Sequence, residues 1–177
     1  MLTQLDSSLI LGIFMFLLLL TAVSSWMMNK IAQDFYLNDT SHSRFTITDL
    51  EFSKSKGVLQ QKISKMDIFV KQKVALHLKV DYVFMISCYI GVAFICFIAS
   101  SKTDSASLKS VLMILGYLQL VAWAFDIIEN LLLSKWLYNQ DFSINFGLFK
   151  TMVRAKFLLA ITGLAAGLLA LIFHSIS

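Results

Sequence analysis

The sequence contains no proline, only two cysteines and few charged residues for its length. Lysine, arginine, aspartate and glutamate make up 15% of the 177 residues, whereas hydrophobic residues make up 58%. Soluble domains carry about 25% charged residues, and the mean hydropathy here is +0.74, so the composition excludes an ordinary soluble domain. The lack of proline also removes the helix breaks that mark many transporter binding sites.

The two cysteines give no information about redox compartment. Cys88 and Cys96 lie eight residues apart in one apolar stretch, where a helix keeps them from forming a disulfide easily. The sequence also shows no nucleophile elbow, phosphate-binding loop or dinucleotide fingerprint. We therefore predict no cofactor.

Four apolar stretches are long enough to cross a bilayer, since a spanning helix needs about 20 mostly apolar residues. Residues 7–29, 82–101 and 157–177 meet this test without a charged residue. Residues 108–136 meet it only if their polar side chains are buried inside the fold. We predict an all-α membrane protein, a single four-transmembrane-helix bundle over residues 1–177, with spans at about 8–28, 81–101, 108–136 and 149–175.

The first apolar stretch differs from a signal peptide in three ways. The run from Leu9 to Val23 is long for the apolar core of a signal peptide, no basic residue precedes it, and no clear cleavage site follows. We expect a retained first span, anchored at its far end by Trp26 and Lys30.

The segment of about residues 30–80 is predicted to lie outside the bilayer. Residues 45–49 alternate as a short strand would, but Thr48 and Glu51 also match a capping box that opens a helix, and both alternatives stay open. Residues 58–78 have apolar side chains at helical spacing and predict an amphipathic helix, continuous or nearly so with the second span. This helix either lies on the membrane or bundle mouth, or packs on the domain with a solvated lysine face.

The third span carries a polar face. Asp126, Glu129 and Asn130 stand at i, i+3 and i+4, so one side of the helix presents all three. Placing a carboxylate in the membrane costs at least about 2.5 kcal/mol on insertion scales, and such residues usually face the bundle interior and have a function. We favour a ligand, ion or proton site over the alternative of a polar clamp between helices.

Polar residues of two other spans lie in the same half of the bilayer. Asp81 begins the second span, and Arg154 and Lys156 begin the fourth. We predict one buried network there, in which carboxylates outnumber basic groups, so that one carboxyl holds a proton or meets an external cation. Arg154 points about 160° away from Lys156, so it either joins this site or extends to the headgroups. Trp123 either offers an aromatic face to a cationic headgroup or, as we favour, packs in the bundle.

Two further features of the candidate site follow from spacing. Lys156 shares a helical face with the small residues Gly163 and Gly167, which allow a neighbouring helix to approach closely and favour an inward position. A metal site that combines His77 with the carboxylates is conceivable, but it has no recognised ligand spacing, and we predict no metal.

Two passages of the chain carry a recognisable pattern: residues 47–55 together with 80–84, and the F-D-x-x-E-N stretch within residues 124–131. Together they resemble a family of small bacterial membrane proteins of uncharacterised activity. The resemblance implies a four-span bundle, placed in the bacterial inner membrane, and supports the site without naming a substrate. The positions that match the family's motifs are Glu51, Asp81, Asp126, Glu129, Asn130 and Lys156.

Basic residues concentrate at one side of the predicted bundle. All 15 lysines and arginines except Lys102 and Lys109 lie in or beside the first and third loops. The positive-inside rule then places those loops in the cytoplasm. Because the basic residues flank spans, anionic lipid headgroups explain the net charge of +4 better than nucleic acid does.

Three functions fit these features. The protein binds or acts on a lipid-like or other amphiphilic small molecule, moves protons or cations alone or as a transporter subunit, or serves as a structural or assembly subunit. We favour the first, since no inverted repeat marks a transport path, and whether the protein is an enzyme stays open. The expected partners are membrane lipids, a lipid-like ligand or other membrane subunits, and not nucleic acid.

Overall fold

A computed structural model describes residues 7–38, 42–139 and 145–176. Within these ranges the chain forms helices and no named strand, which confirms the predicted all-α class. Four of the helices are long and apolar enough to cross a membrane, as expected for an integral membrane protein. The helices are α1 (Ser7–Ala32), α2 (Ile47–Glu51), α3 (Lys56–Ser64), α4 (Ile68–Lys102), α5 (Ala106–Tyr138) and α6 (Phe146–Ile176).

Helix α4 is the centre of the bundle. It packs against α1, α5 and α6, and α5 also packs against α6. The short link of residues 103–105 reverses the chain between α4 and α5, and Ser105 caps α5 by accepting a hydrogen bond from the Leu108 N–H. Helix α1 exposes large apolar side chains, with Leu19 61% and Trp26 62% exposed. A helix that exposes this much apolar surface fits a lipid environment.

Helix α2 decides between the two alternatives for residues 45–51. The segment is helical, but its capping box joins Thr46 and Asp49, so the predicted pairing of Thr48 with Glu51 is wrong. The Thr46 N–H donates to Asp49 Oδ2 at 2.7 Å, and the Asp49 N–H donates to Thr46 Oγ1 at 3.3 Å. Thr46 has the extended backbone that an N-cap requires, whereas Thr48 already lies inside the helix. Glu51 is therefore not a capping residue.

The predicted amphipathic stretch is helical in two pieces. Helix α3 ends at Ser64, and α4 begins at Ile68 after Asp67, whose side chain caps α4 by accepting from the Val70 N–H at 2.8 Å. From Ile68 onward the helix is continuous with the second span, as predicted. At 35 residues, α4 is about 52 Å long, well beyond the ~30 Å hydrocarbon core. The helix is therefore longer than a single crossing of the bilayer requires.

The apolar face of α3 and early α4 packs on the domain. Of the two positions that the sequence left open for this segment, on the membrane or bundle mouth or packed on the domain, the structure has the second. Leu59, Ile63 and Val74 are fully buried, and they belong to a core that also contains Trp136 from α5 and Phe149 from α6. The lysines of this stretch remain partly exposed. The segment thus closes one end of the bundle and positions α2 over the spans.

Candidate functional site

Lys156 lies at the centre of a buried ionic cluster. Its Nζ lies 2.5 Å from Asp126 Oδ1 and 2.7 Å from Glu129 Oε2. The carboxylate of Glu51 approaches from α2, with Oε1 at 3.7 Å. All four side chains are buried. One ammonium group therefore faces three carboxyl groups.

The position of Lys156 depends on close packing of α6. A Cβ added to Gly167 would lie 2.8 Å from Ile95 Cγ2 and 3.3 Å from the Cys96 backbone nitrogen, both on α4. A Cβ on Gly163 would collide with the Gln119 side chain of α5. The small-residue face of α6 is therefore turned inward, as its spacing predicted, and it brings Lys156 to the carboxylates of α5.

Helix α4 adds one polar contact to the cluster and makes a second beside it, where Asp81 is only partly buried. Asn130 Nδ2 donates to Asp81 Oδ2 at 2.7 Å, and the Tyr89 hydroxyl donates to Asp126 Oδ2 at 2.9 Å. The structure thus brings Asp81, Asp126 and Asn130 to the end of the bundle that their sequence positions indicated. Sequence reasoning missed Tyr89, although a tyrosine hydroxyl inside an apolar span usually has a polar partner.

Two residues proposed for the site lie elsewhere. Arg154 is exposed, so the structure does not bring it into the buried cluster. The reason is helical geometry, because two residues correspond to about 200° of rotation and turn Arg154 away from Lys156. Trp123 packs against the apolar group of Met85 and Ala122, and its indole N–H has no hydrogen-bond partner within the described ranges. This is the packing role that the sequence favoured.

A cavity of about 390 Å³ opens beside the cluster, and we call it the polar cavity. Residues of α1 and α6 form two of its walls, and residues of α2, α4 and α5 complete it. Its volume lies within the ~300–1,000 Å³ typical of small-molecule sites. The charged and ionisable residues along its wall include Glu51, His77, Asp81, Asp126 and Lys156. Sequence reasoning placed His77 on an apolar helix face and considered it beside the carboxylates only as a conceivable metal ligand.

A second cavity of about 170 Å³ lies deeper in the spans, and we call it the apolar groove. Leu17 of α1, Ile95 of α4 and Leu164 of α6 line it. Cys88 lines both the groove and the polar cavity. The polar cavity and the apolar groove therefore lie next to each other, on either side of Cys88.

Two buried polar atoms in the polar cavity lack hydrogen-bond partners within the described part of the chain. They are Glu51 Oε2 and His77 Nδ1, and each residue is only 6% exposed. A buried polar atom left without a partner costs about 1–3 kcal/mol. Burial also raises the pKa of Glu51, although the Lys156 ammonium opposes this shift. Glu51 and His77 thus line the cavity while each keeps one buried polar atom without a partner in the described part of the chain.

Among the described residues, no group of three or more histidine, cysteine, aspartate or glutamate side chains is arranged to hold a metal ion. Comparison of the chain with protein families, with curated proteins and with solved structures finds no match.

Proposed function

We propose that this integral membrane protein binds a lipid-like amphiphile, with the polar group in the polar cavity and the apolar chain in the apolar groove. The observation that carries the proposal is the adjacency of the two cavities at Cys88. An amphiphile has the same two-part character as this pair of cavities. Small-molecule sites combine mostly apolar walls with a few placed polar groups in the same way.

The arrangement of the carboxylates favours a binding site over a clamp that only joins helices. A clamp needs polar partners only between the spans that it joins. Here Asp126 and Lys156 also line the cavity, and Glu51 comes from α2, a five-residue helix that is not a candidate span. A group supplied from outside the spans is not needed to hold those spans together.

The apolar groove contributes packing contacts to the bound chain and little discrimination between ligands. Lipid tails are as apolar as leucine, so a chain leaving the bilayer gains no hydrophobic free energy by entering the protein. Its gain comes from contacts with the groove wall, and discrimination between ligands comes from the polar group. The polar cavity is therefore the part of the site that determines specificity.

The positions of the carboxylates along the spans favour binding of an amphiphile over transport of protons or cations. The carboxylates inside the described spans, Asp81, Asp126 and Glu129, all belong to the half nearer α2. In the other half the buried polar side chain Gln119 donates to the backbone oxygens of Leu115 and Leu159. A relay across the membrane would need ionisable groups there as well.

The proposal extends to orientation and membrane. The concentration of basic residues supports cytoplasmic first and third loops, which would place the polar cavity in the cytoplasmic leaflet. The resemblance described above supports a bacterial inner membrane, and membership of that family is part of the same proposal.

Photolabelling in lipid nanodiscs tests the proposed binding. A photoreactive 12-carbon alcohol with a diazirine in its chain should label groove residues of α1 and α4, mapped by peptide mass spectrometry. Ala160→Trp fills the polar cavity, whose wall includes Ala160, and should reduce this labelling about tenfold, equivalent to ~1.4 kcal/mol. Leu158→Trp is the matched control, because Leu158 lies on the same helix and is 67% exposed. Uniform labelling of all lipid-facing helices, unchanged by Ala160→Trp, would refute the proposal.

A further inference from the structure

We infer that the polar cavity selects an amphiphile whose headgroup is a protonated amine, held by hydrogen bonds to Glu51 Oε2 and His77 Nδ1. This inference rests on the proposed function and adds the chemical class of the ligand. It follows from the charges on the wall, from the polar atoms left unpaired there, and from the aromatic rings beside them.

The charges around the cavity are predominantly negative. Glu51, Asp81 and Asp126 line it, whereas Lys156 is its one lysine or arginine among the described residues. Lys156 is already held at 2.5 Å by Asp126 and at 2.7 Å by Glu129. An anionic headgroup would meet three carboxyl groups in a medium of low dielectric, where like charges repel strongly. A cation meets the opposite field.

Hydrogen bonds within the protein already engage some of the carboxylate oxygens of the cavity wall. Asp126 Oδ2 accepts from Tyr89, and Asp81 Oδ2 accepts from Asn130. Glu51 Oε2 and His77 Nδ1 have no partner within the described ranges. In neutral histidine one ring nitrogen accepts and the other donates, so Nδ1 accepts when Nε2 carries the proton. An ammonium group supplies several N–H donors, and it can serve both acceptors when the Glu51 carboxyl is ionised.

Aromatic rings complete a site suited to a cation. Phe84 and Phe157 line the polar cavity, and the Phe157 ring already lies 5.0 Å from Lys156 Nζ. Ring faces attract cations at such distances. The wall thus combines carboxylate, unpaired acceptors and ring faces, all of which favour a positive headgroup.

Competition among amphiphiles that share a dodecyl chain tests this inference. Dodecylamine, dodecyltrimethylammonium, dodecanol and dodecyl sulfate would compete with the photoreactive alcohol in nanodiscs of the full-length protein, at equal membrane mole fraction. We expect dodecylamine to compete about tenfold better than dodecanol, because one charge-assisted hydrogen bond to the headgroup changes affinity by about that factor. Dodecyl sulfate should compete worst. Dodecyltrimethylammonium has the charge without N–H donors, so competition equal to that of dodecylamine would overturn the hydrogen bonds to Glu51 and His77.

Two variants locate the preference in the protein. Glu51→Gln and His77→Phe should each remove most of the preference for dodecylamine while competition by dodecanol stays unchanged. Asp34→Asn is the matched control, because it removes the same charge at a partly exposed position that pairs with Lys73. If His77→Phe and Glu51→Gln both retain the full preference, the inference fails.

The two proposals can fail separately. Equal competition by all four headgroups, abolished by Ala160→Trp, would overturn the amine class and leave amphiphile binding standing. Competition that Ala160→Trp does not change would overturn amphiphile binding in the cavity itself.

Discussion

At the scale of single residues, Lys156 determines how the carboxyl groups share charge. It contacts Asp126 and Glu129 directly and leaves Glu51 at 3.7 Å. Breaking a buried ion pair by removing one partner usually costs about 3–5 kcal/mol, because the other charge stays buried. Replacing a charged side chain in this cluster can therefore change stability, ligand binding or both. Whether that side chain lines the polar cavity decides which of the two changes.

Asp126 and Glu129 form a matched pair for separating binding from stability. Both contact Lys156, but Asp126 lines the polar cavity and Glu129 is fully buried. Asp126→Asn should therefore weaken dodecylamine competition about tenfold, equivalent to ~1.4 kcal/mol, because it removes a negative charge from the wall of the cavity. Glu129→Gln should leave competition within about twofold, a difference of ~0.4 kcal/mol, and lower the melting temperature. A larger binding loss in Glu129→Gln would argue for a cluster that acts as one unit.

The raised pKa of Glu51 predicts a pH dependence of stability. The folded protein holds this proton more tightly than the unfolded chain, whose carboxyl titrates near 4.5. The stabilisation from Glu51 is therefore complete below that pH and is lost as pH rises through the raised pKa. The melting temperature of the native protein should fall relative to that of Glu51→Gln as pH increases above 4.5. A constant difference between the two proteins across this range would show that burial does not raise the pKa.

At the scale of helices, the approach of α6 to α4 depends on Gly167. Gly167→Ala would place a methyl group 3.3 Å from a backbone nitrogen of α4, which a side-chain movement cannot relieve. We expect a loss of about 1–3 kcal/mol, typical of overpacking, measured by thermal unfolding in nanodiscs. Gly91→Ala is the control, because its Cβ would meet nothing within 4 Å. That variant should be neutral or more stable by up to ~1 kcal/mol. Equal melting temperatures for the two variants would contradict this account of α6.

At the scale of the whole molecule, the bundle predicts the sidedness of its loops. Single cysteines at Gln60 and Asn145 should react with a membrane-impermeant maleimide from one compartment, and a cysteine at Asp104 from the other, in a background without Cys88 and Cys96. The positive-inside rule predicts that the shared compartment is the cytoplasm. Labelling of all three from one side would contradict the four-span topology. External labelling of Gln60 and Asn145 together would contradict only the proposed orientation.

The sequence by itself determined the four spans and the polar face of α5. Span length follows from bilayer thickness, and Asp126, Glu129 and Asn130 share a face because helical periodicity is a local property. The alternation of span direction then placed Asp81 and Lys156 at the same end. These features need no knowledge of tertiary contacts.

Only the tertiary structure decided which side chains meet and where a cavity opens. Helices that are apolar on nearly every side give weak periodic signals, so their rotation about their own axes is set by packing rather than by pattern. The hydrogen bond from Tyr89 to Asp126 and the outward position of Arg154 depend on that rotation. The contact of Glu51 with Lys156 depends on how α2 folds over the spans, and α2 is held there by a core whose residues are far apart in sequence. Contacts of this kind arise from shape complementarity between elements, which no local pattern encodes.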